Sequence, residues 1–86
     1  MMNHTTNIAR SSKQLGNIIQ RARKQRDWTQ TELAQMAGLR QEMVSKIERG
    51  QDGTKLSSVY ALLAALDLEL VIETRSKVKP EIADVF

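Results

Sequence analysis

Cysteine is absent from this sequence, so disulfide bridges and thiolate metal sites are excluded. Histidine occurs once, as His4, in a polar segment that offers no second histidine to share a metal ion. A solvated side chain is the simpler interpretation of that residue. The sequence therefore predicts neither a metal centre nor a bound cofactor.

Long hydrophobic runs are also missing. The longest unbroken apolar run, VYALLAAL at residues 59–66, falls well short of the roughly 20 residues that cross a bilayer. Residues 1–10 lack the apolar core of a secretory signal. We therefore expect a soluble cytoplasmic protein, with no membrane partner.

No combination of side chains resembles a catalytic site. The sequence offers no acid–base pair, no nucleophile beside a base, no metal cluster and no glycine loop that could hold a phosphate. An enzyme is consequently the least favoured class of function.

The charge of the chain is mild in total but unevenly distributed. The net charge is +3, and residues 1–50 contain nine Lys and Arg against four Asp and Glu, whereas residues 51–86 contain four against six. Positive charge thus gathers in the first half of a chain that is long enough for one domain. This distribution favours a polyanionic partner for that half.

Hydrophobic periodicity predicts a mainly α-helical, compact domain of four to five short helices over residues 11–67, preceded by a disordered tail at residues 1–10. Ser11 or Ser12 is expected to cap a first helix that ends near Arg26. Gly16 either weakens this helix or permits another element to pack closely against it. The buried stripe of the helix consists of Leu15, Ile18, Ile19 and Ala22.

Three further helices are indicated, at residues 30–37, 40–49 and 56–66. Thr29 and Glu32 have the spacing of a capping box, in which each side chain bonds the free backbone N–H of the other residue. Trp28 and Leu33 have the spacing of a hydrophobic staple, which gives the only tryptophan a structural role. The last helix is expected to bury Leu56, Val59, Leu62, Leu63 and Leu66.

Apolar and polar side chains alternate over residues 68–74, which indicates a β-strand within residues 68–75. A lone strand leaves its backbone groups unpaired, and the same strand of a second copy, antiparallel across a twofold axis, is the simplest partner. A hairpin with residues 81–86 is the alternative, although Pro80 interrupts it. The residues expected in the dimer contact are Leu68, Leu70, Val71 and Ile72.

Residues 76–86 are expected to form a flexible tail. This segment is charged and carries apolar Ile82, Val85 and Phe86 near its end. A frayed terminus and a peptide that docks on a partner protein are both consistent with that pattern.

The joint between the second and third helices has the pattern of a helix-turn-helix. Gly38 lies where a tight turn needs a positive φ, and Ala34 lies where the two helices cross and a larger side chain would separate them. The apolar positions that complete the pattern are Leu33, Ala37, Leu39, Val44 and Ile47.

Opposite this apolar side, the third helix carries a polar stripe. Gln41, Ser45 and Arg49 follow one another at intervals of four residues and are flanked by Glu42 and Lys46. One helical turn rises about 5.4 Å, so neighbouring members of the stripe can reach adjacent or next-adjacent base pairs of a duplex.

The stretches RKQRDWTQTELAQMAGL and VSKIERG resemble the Xre/Cro-type helix-turn-helix repressors, and the resemblance covers residues 13–67. In that family the second helix of the pair enters the major groove. The resemblance implies that Gln30 binds a phosphate and that Arg23 pairs with Glu48 as part of the scaffold. The recognition residues that it implies are Arg40, Gln41, Glu42, Ser45 and Lys46. Residues 10–13 and Arg26 are weaker candidates for phosphate contacts.

A short domain of this type followed by one strand and a tail is similar to the HipB-like antitoxins. That similarity implies a dimer that represses its own operon at inverted-repeat DNA and neutralises a HipA-like kinase toxin, with Phe86 as the one aromatic residue of a tail that could engage the toxin. Two alternatives stay open: a stand-alone phage or chromosomal repressor, and a helix-turn-helix that serves only as a protein-binding adaptor.

Overall fold

The computed structural model describes residues 7–75, and these form a four-helix domain, as predicted. The helices are α1 (Ser12–Gln25), α2 (Gln30–Ala37), α3 (Gln41–Glu48) and α4 (Leu56–Ala65). None of them is long and apolar enough to cross a membrane. The predictions for residues 1–6 and for the tail at residues 76–86 lie outside the described residues, and residues 7–10 have no regular secondary structure.

Two of the helices begin at the side-chain caps that the sequence predicts. The hydroxyl of Ser11 accepts the backbone N–H of Gln14 at 3.1 Å and starts α1. At the start of α2, Thr29 Oγ1 accepts the N–H of Glu32 at 3.0 Å, and Glu32 Oε1 accepts the N–H of Thr29 at 2.8 Å. The capping box is therefore confirmed, and it fixes the first turn of the helix-turn-helix.

Each of the four helices is followed by a residue with a positive φ, after which a backbone N–H returns to the last turn. Such an ending satisfies carbonyl groups that the helix leaves free, and it usually takes glycine. Gly38 and Gly50 fill this position after α2 and α3, whereas Asp27 and Asp67, each with a φ of 59°, fill it after α1 and α4. The two aspartates therefore hold a backbone conformation that costs most side chains about 1–2 kcal/mol.

The core receives side chains from every helix and from the residue that ends α4. Its fully buried members are Ile19, Leu33, Val44, Leu62 and Leu66. Trp28 is half-buried and packs against this core. The prediction for Leu56 is wrong, because its side chain is 61% exposed at the first position of α4, where no other element covers it.

Gly16 lies where α1 passes close to the backbone of α3. A Cβ atom built at this position would lie only 2.7 Å from the carbonyl oxygen of Glu48 and 2.9 Å from its carbonyl carbon. Both atoms belong to backbone, which cannot move aside as a flexible side chain can. Of the two interpretations of Gly16, close packing is the one that the structure supports, and it sets the position of α3.

Residues 68–75 follow α4 without regular secondary structure, and no strand occurs within residues 7–75. Leu68 is half-buried and packs against the core of its own domain. By contrast, Leu70, Val71 and Ile72 are 47%, 67% and 88% exposed. Pairing of this segment with a second copy stays a prediction.

Candidate nucleic-acid interface

The turn between α2 and α3 holds the two helices in a fixed relation. Gly38 has a φ of +72°, and the N–H of Leu39 returns to the carbonyl oxygen of Ala34 at 2.9 Å. Ala34 itself is only 3% exposed, so a larger side chain there has no room without separating the helices. This geometry is that of a helix-turn-helix, and it presents one side of α3 to the outside.

The polar residues of α3 and its N-cap occupy that outer side. Val44, Ile47 and Glu48 are buried, whereas Gln41 and Glu42 are exposed. The remaining residues of the outer side are Arg40, Lys46 and Arg49, which are exposed, and Ser45, which is half-buried. The structure thus gathers the five predicted recognition residues on one surface, which we call the α3 face: residues 40, 41, 42, 45 and 46.

Behind the α3 face lies a buried ion pair between α1 and α3. Arg23 Nε lies 2.6 Å from Glu48 Oε2, and Arg23 Nη2 donates to Glu48 Oε1 at 2.9 Å. The two side chains are 10% and 1% exposed. Arg23 Nη1 also donates to the carbonyl oxygen of Trp28 at 2.8 Å. The pair therefore joins α1, the start of α2 and the end of α3.

The ion pair is charged on both sides. Burial alone raises the pKa of Glu48, but hydrogen bonds from Arg23 and Gln30, together with the charge of Arg23, hold that pKa below its usual value of 4.5. The pKa of Arg23 is raised, chiefly by its hydrogen bond to Glu48. A buried ionised carboxylate with several donors is strongly oriented, and its oxygen atoms act as fixed acceptors.

Gln30 connects this buried carboxylate to the α3 face. Gln30 Nε2 donates to Glu48 Oε1 at 3.0 Å, while Gln30 Oε1 accepts from Gln41 Nε2 at 2.6 Å. The structure thus brings two of the predicted DNA-binding residues into direct contact. We call the series Arg23–Glu48–Gln30–Gln41 the glutamine relay, because two amide groups carry it from the core to the surface.

Neither bond of Gln30 in the glutamine relay was predicted from the sequence. Two more unpredicted hydrogen bonds of the site involve Gln20 and Arg49. Gln20 Nε2 donates to Glu48 Oε1 at 3.4 Å, and Arg49 Nη1 donates to Ser45 Oγ at 2.6 Å. Helical spacing could have indicated these two bonds. Gln20 lies three residues before Arg23 and so shares its face of α1, and Arg49 lies four residues after Ser45.

Arg26 was a weaker candidate for a phosphate contact, but its side chain forms hydrogen bonds within the domain instead. Its guanidinium donates to the carbonyl oxygens of Ala22 at 2.9 Å and Leu66 at 2.6 Å. It also lies over the ring of Trp28, 5.7 Å from the centroid. Because these contacts tie the end of α1 to the end of α4, Arg26 belongs to the scaffold.

The rest of the α3 face surrounds a shallow recess of about 400 Å³ beside the turn. Arg40, Glu42 and Lys46 line it together with apolar side chains. Within residues 7–75, neither Arg40 nor Lys46 forms an ion pair. Their positive charges are therefore free to meet an anionic ligand.

The fold and the α3 face define a helix-turn-helix protein, and residues 19–72 match the family described as Helix-turn-helix. The chain is 34% identical over 74 residues to the antitoxin HipB of Escherichia coli O6:H1 (strain CFT073), covering 86% of this chain and 79% of that protein. The chain belongs to the Xre-type helix-turn-helix family and, within it, to the HipB antitoxins. The resemblance seen in the sequence is thereby confirmed.

Solved structures agree with this assignment. A chain of the HipA-HipB-O2-O3 complex superposes with a TM-score of 0.76 at 31% identity, covering 83% of this chain and 100% of that one. The restriction-modification controller protein C.AhdI from Aeromonas hydrophila superposes with a TM-score of 0.62 at 31% identity, covering 67% of this chain and 88% of that one. Both share the fold of this chain over the part that they cover.

Proposed function

We propose that this protein is an antitoxin that binds operator DNA as a dimer, represses the operon that encodes it and neutralises a HipA-like kinase toxin. The proposal is for a non-enzymatic role in the cytoplasm, at the nucleoid. Membership in the HipB antitoxins supports the class of function. The single structural observation that carries the DNA-binding part is the glutamine relay, which fixes Gln41 on the outside of α3.

Gln41 is suited to read an adenine without leaving the relay. Its Nε2 carries two N–H groups, and the contact with Gln30 uses one of them. The second N–H and the carbonyl oxygen Oε1 match N7 and N6–H of adenine in the major groove. Because the relay already orients the amide, the contact forms with little further loss of side-chain freedom.

The other residues of the α3 face complement Gln41. Arg40 and Lys46 can bind guanine or phosphate, and Glu42 can accept from cytosine. Gln30, which is half-buried at the first position of α2, adds a phosphate contact that the free N–H groups of that helix end would share. In this assignment phosphate contacts supply most of the attraction, and base contacts supply the choice of sequence.

The dimer is proposed to form through residues 68–75, outside the DNA-binding part at residues 11–67. Leu70, Val71 and Ile72 are apolar and exposed in the single chain, which supports a contact with a second copy. Leu68 packs on the core and so anchors the segment to the domain. Leu70→Pro should break an intermolecular strand and shift light scattering towards the monomer, whereas a dimer of unaltered stability would rule out that pairing.

Selection of duplexes from a random pool tests the DNA-binding part. The winning sequences should be inverted repeats with half-sites about one helical turn, near 34 Å, apart. Gln41→Ala should weaken binding by about 1–3 kcal/mol and relax one base position. Gln35→Ala is the matched control, because Gln35 is an exposed glutamine of α2 that is outside the relay. A pool without preferred sequences, even at low salt, would favour the adaptor alternative.

The toxin-binding part requires a separate test. A kinase-like reading frame beside the gene should encode a protein that co-purifies with this chain and loses activity in the complex. The similarity to the controller protein C.AhdI supports one second candidate, a stand-alone transcriptional regulator. Sequence-specific DNA binding without any adjacent kinase gene would favour that candidate.

A further inference from the structure

We propose that Arg49 binds a DNA phosphate and that Ser45 is the residue that positions it, an assignment that rests on the proposed DNA-binding function. Arg49 directly follows the last residue of α3, and its side chain is exposed. Its Nη1 donates to Ser45 Oγ at 2.6 Å, one turn back along the helix. The two residues therefore form one hydrogen-bonded unit on the outer side of α3.

The charge of Arg49 is available for a ligand. Among residues 7–75 the only ion pair is that of Arg23 with Glu48, so no carboxylate neutralises Arg49. A guanidinium has five N–H groups, and the bond to Ser45 uses one of them. The remaining donors form a planar fork that fits the oxygen atoms of a phosphate.

The location of Arg49 favours the DNA backbone over the base edges. Base-reading side chains lie towards the N-terminal end of a recognition helix. Gln41 and Arg49 are about 12 Å apart along α3, which is comparable to the width of the major groove of roughly 12 Å. With Gln41 at the bases, Arg49 lies near the edge of the groove, where the phosphates run.

A second cation reaches the same edge. Gly50, the next residue, packs so closely on α1 that a Cβ built there would lie 2.6 Å from the Cα atom of Lys13. Lys13 is exposed in the first turn of α1. Arg49 and Lys13 thus place two positive charges where one strand of DNA would pass the end of α3.

Ser45 takes a different role from the one that the family resemblance implies for it. Its oxygen accepts from Arg49, and this bond restricts a long side chain that would otherwise lose more rotamer freedom on binding. Ser45 is then a positioning residue for a phosphate contact, not chiefly a reader of bases. Removing its hydroxyl should weaken binding only while Arg49 is present.

The experiment measures the affinity of the full chain for a selected duplex and for a scrambled duplex of equal length, between about 50 and 200 mM salt. Arg49→Ala should weaken both complexes by a similar factor, roughly tenfold at low salt, and reduce the slope of log affinity against log salt by about 1 per half-site. Arg49→Lys should restore most of the slope. Lys24→Ala, which removes an exposed charge from the last turn of α1, is the control and should leave the slope unchanged.

The role of Ser45 is tested by a double-mutant cycle. Ser45→Ala should weaken binding severalfold in the wild-type background and have little effect in the Arg49→Ala background, because the two residues act as one unit. Ser45→Thr keeps the hydroxyl and should retain the affinity. Additive effects of Ser45→Ala and Arg49→Ala would refute the positioning role.

Two results would overturn the assignment of Arg49. An unchanged salt slope in Arg49→Ala would show that it does not contact a phosphate, and a changed preference at one base pair would show that it reads a base. Either result leaves the proposed function intact if the wild-type chain still selects inverted repeats. Failure of the wild-type chain to prefer any duplex contradicts the proposed function itself, whatever the variants do.

Discussion

Replacement of Glu48 by leucine tests whether the buried ion pair supports both the fold and the α3 face. The substitution leaves the guanidinium of Arg23, whose side chain is 10% exposed, with the carbonyl oxygen of Trp28 as its remaining acceptor. Removal of one partner from a buried pair typically costs about 3–5 kcal/mol, because the other charge stays buried without compensation. Domains of this kind have only about 5–15 kcal/mol of stability in total.

The assay is urea unfolding followed by far-UV circular dichroism, with the fluorescence of half-buried Trp28 as a second probe. In thermal unfolding, a loss of about 3 kcal/mol corresponds to a Tm lower by about 12 °C or more in a domain of this size. The double variant Arg23→Met/Glu48→Leu should recover most of this loss, because apolar side chains of similar volume can replace a buried pair. Each variant is measured at neutral pH, where the wild-type pair is charged.

The double variant should nevertheless bind DNA poorly. Gln30 Nε2 would lose its acceptor on Glu48, and the amide of Gln41 would then no longer be oriented by a fixed partner. We expect the preference at the base pair read by Gln41 to weaken by roughly tenfold, the scale of one oriented hydrogen bond to a charged group. A loss of less than about 1 kcal/mol in Glu48→Leu, well below the range for broken buried pairs, would refute the role of the ion pair in the fold. A stable double variant with unaltered base preference would refute its role in orienting Gln41.

Three further predictions concern stability. Because the pKa of Glu48 is lowered in the folded state, its contribution to the free energy of unfolding is present above the usual pKa of 4.5 and is lost as the pH falls through the folded-state pKa. Urea unfolding at a series of acidic pH values should show this loss, and the double variant without the pair should show less of it. Gly16→Ala should destabilise the domain by about 1 kcal/mol or more, despite a gain in helix propensity of about 1 kcal/mol, because backbone atoms of Glu48 occupy the space. The control Asn17→Ala, with the propensity gain alone, should not destabilise it. A Gly16→Ala variant more stable than the wild type would contradict the close packing. Asp67→Gly should raise the unfolding free energy by about 1 kcal/mol, because glycine adopts a φ of 59° without strain. An unchanged Tm would show that the aspartate is not strained.

The helix-turn-helix could be predicted from the sequence because its signals are local. Thr29 and Glu32 are three residues apart, and their capping box is present. The spacing of the apolar residues places Gly38 in a tight turn between two helices, where a positive φ is needed, and its φ is +72°. Contacts of this kind depend on neighbours in the chain, so the pattern of residue types is enough to indicate them.

Other features depend on groups that are distant in sequence or absent from the chain. The exposure of Leu56 depends on which elements cover the start of α4, and helical periodicity does not report this. The left-handed conformations of Asp27 and Asp67 are imposed by the helix ends, since aspartate alone does not require them. The partner of residues 68–75, where Leu70 is exposed, would be another molecule, so no pattern within one chain can establish it.

The two hydrogen-bonded units on the outer side of α3 differ in how they are supported, and this difference has a consequence for recognition. Gln41 is held through Gln30 by a carboxylate that is 1% exposed, so its orientation is set by the core. Arg49 is held by Ser45 of the same helix only, at the solvent-exposed end. Base reading requires a fixed donor and acceptor geometry, whereas a phosphate offers several oxygen atoms to a guanidinium, so support from one neighbouring hydroxyl is enough to position Arg49. The support of each unit therefore matches the part of the duplex to which we assign it.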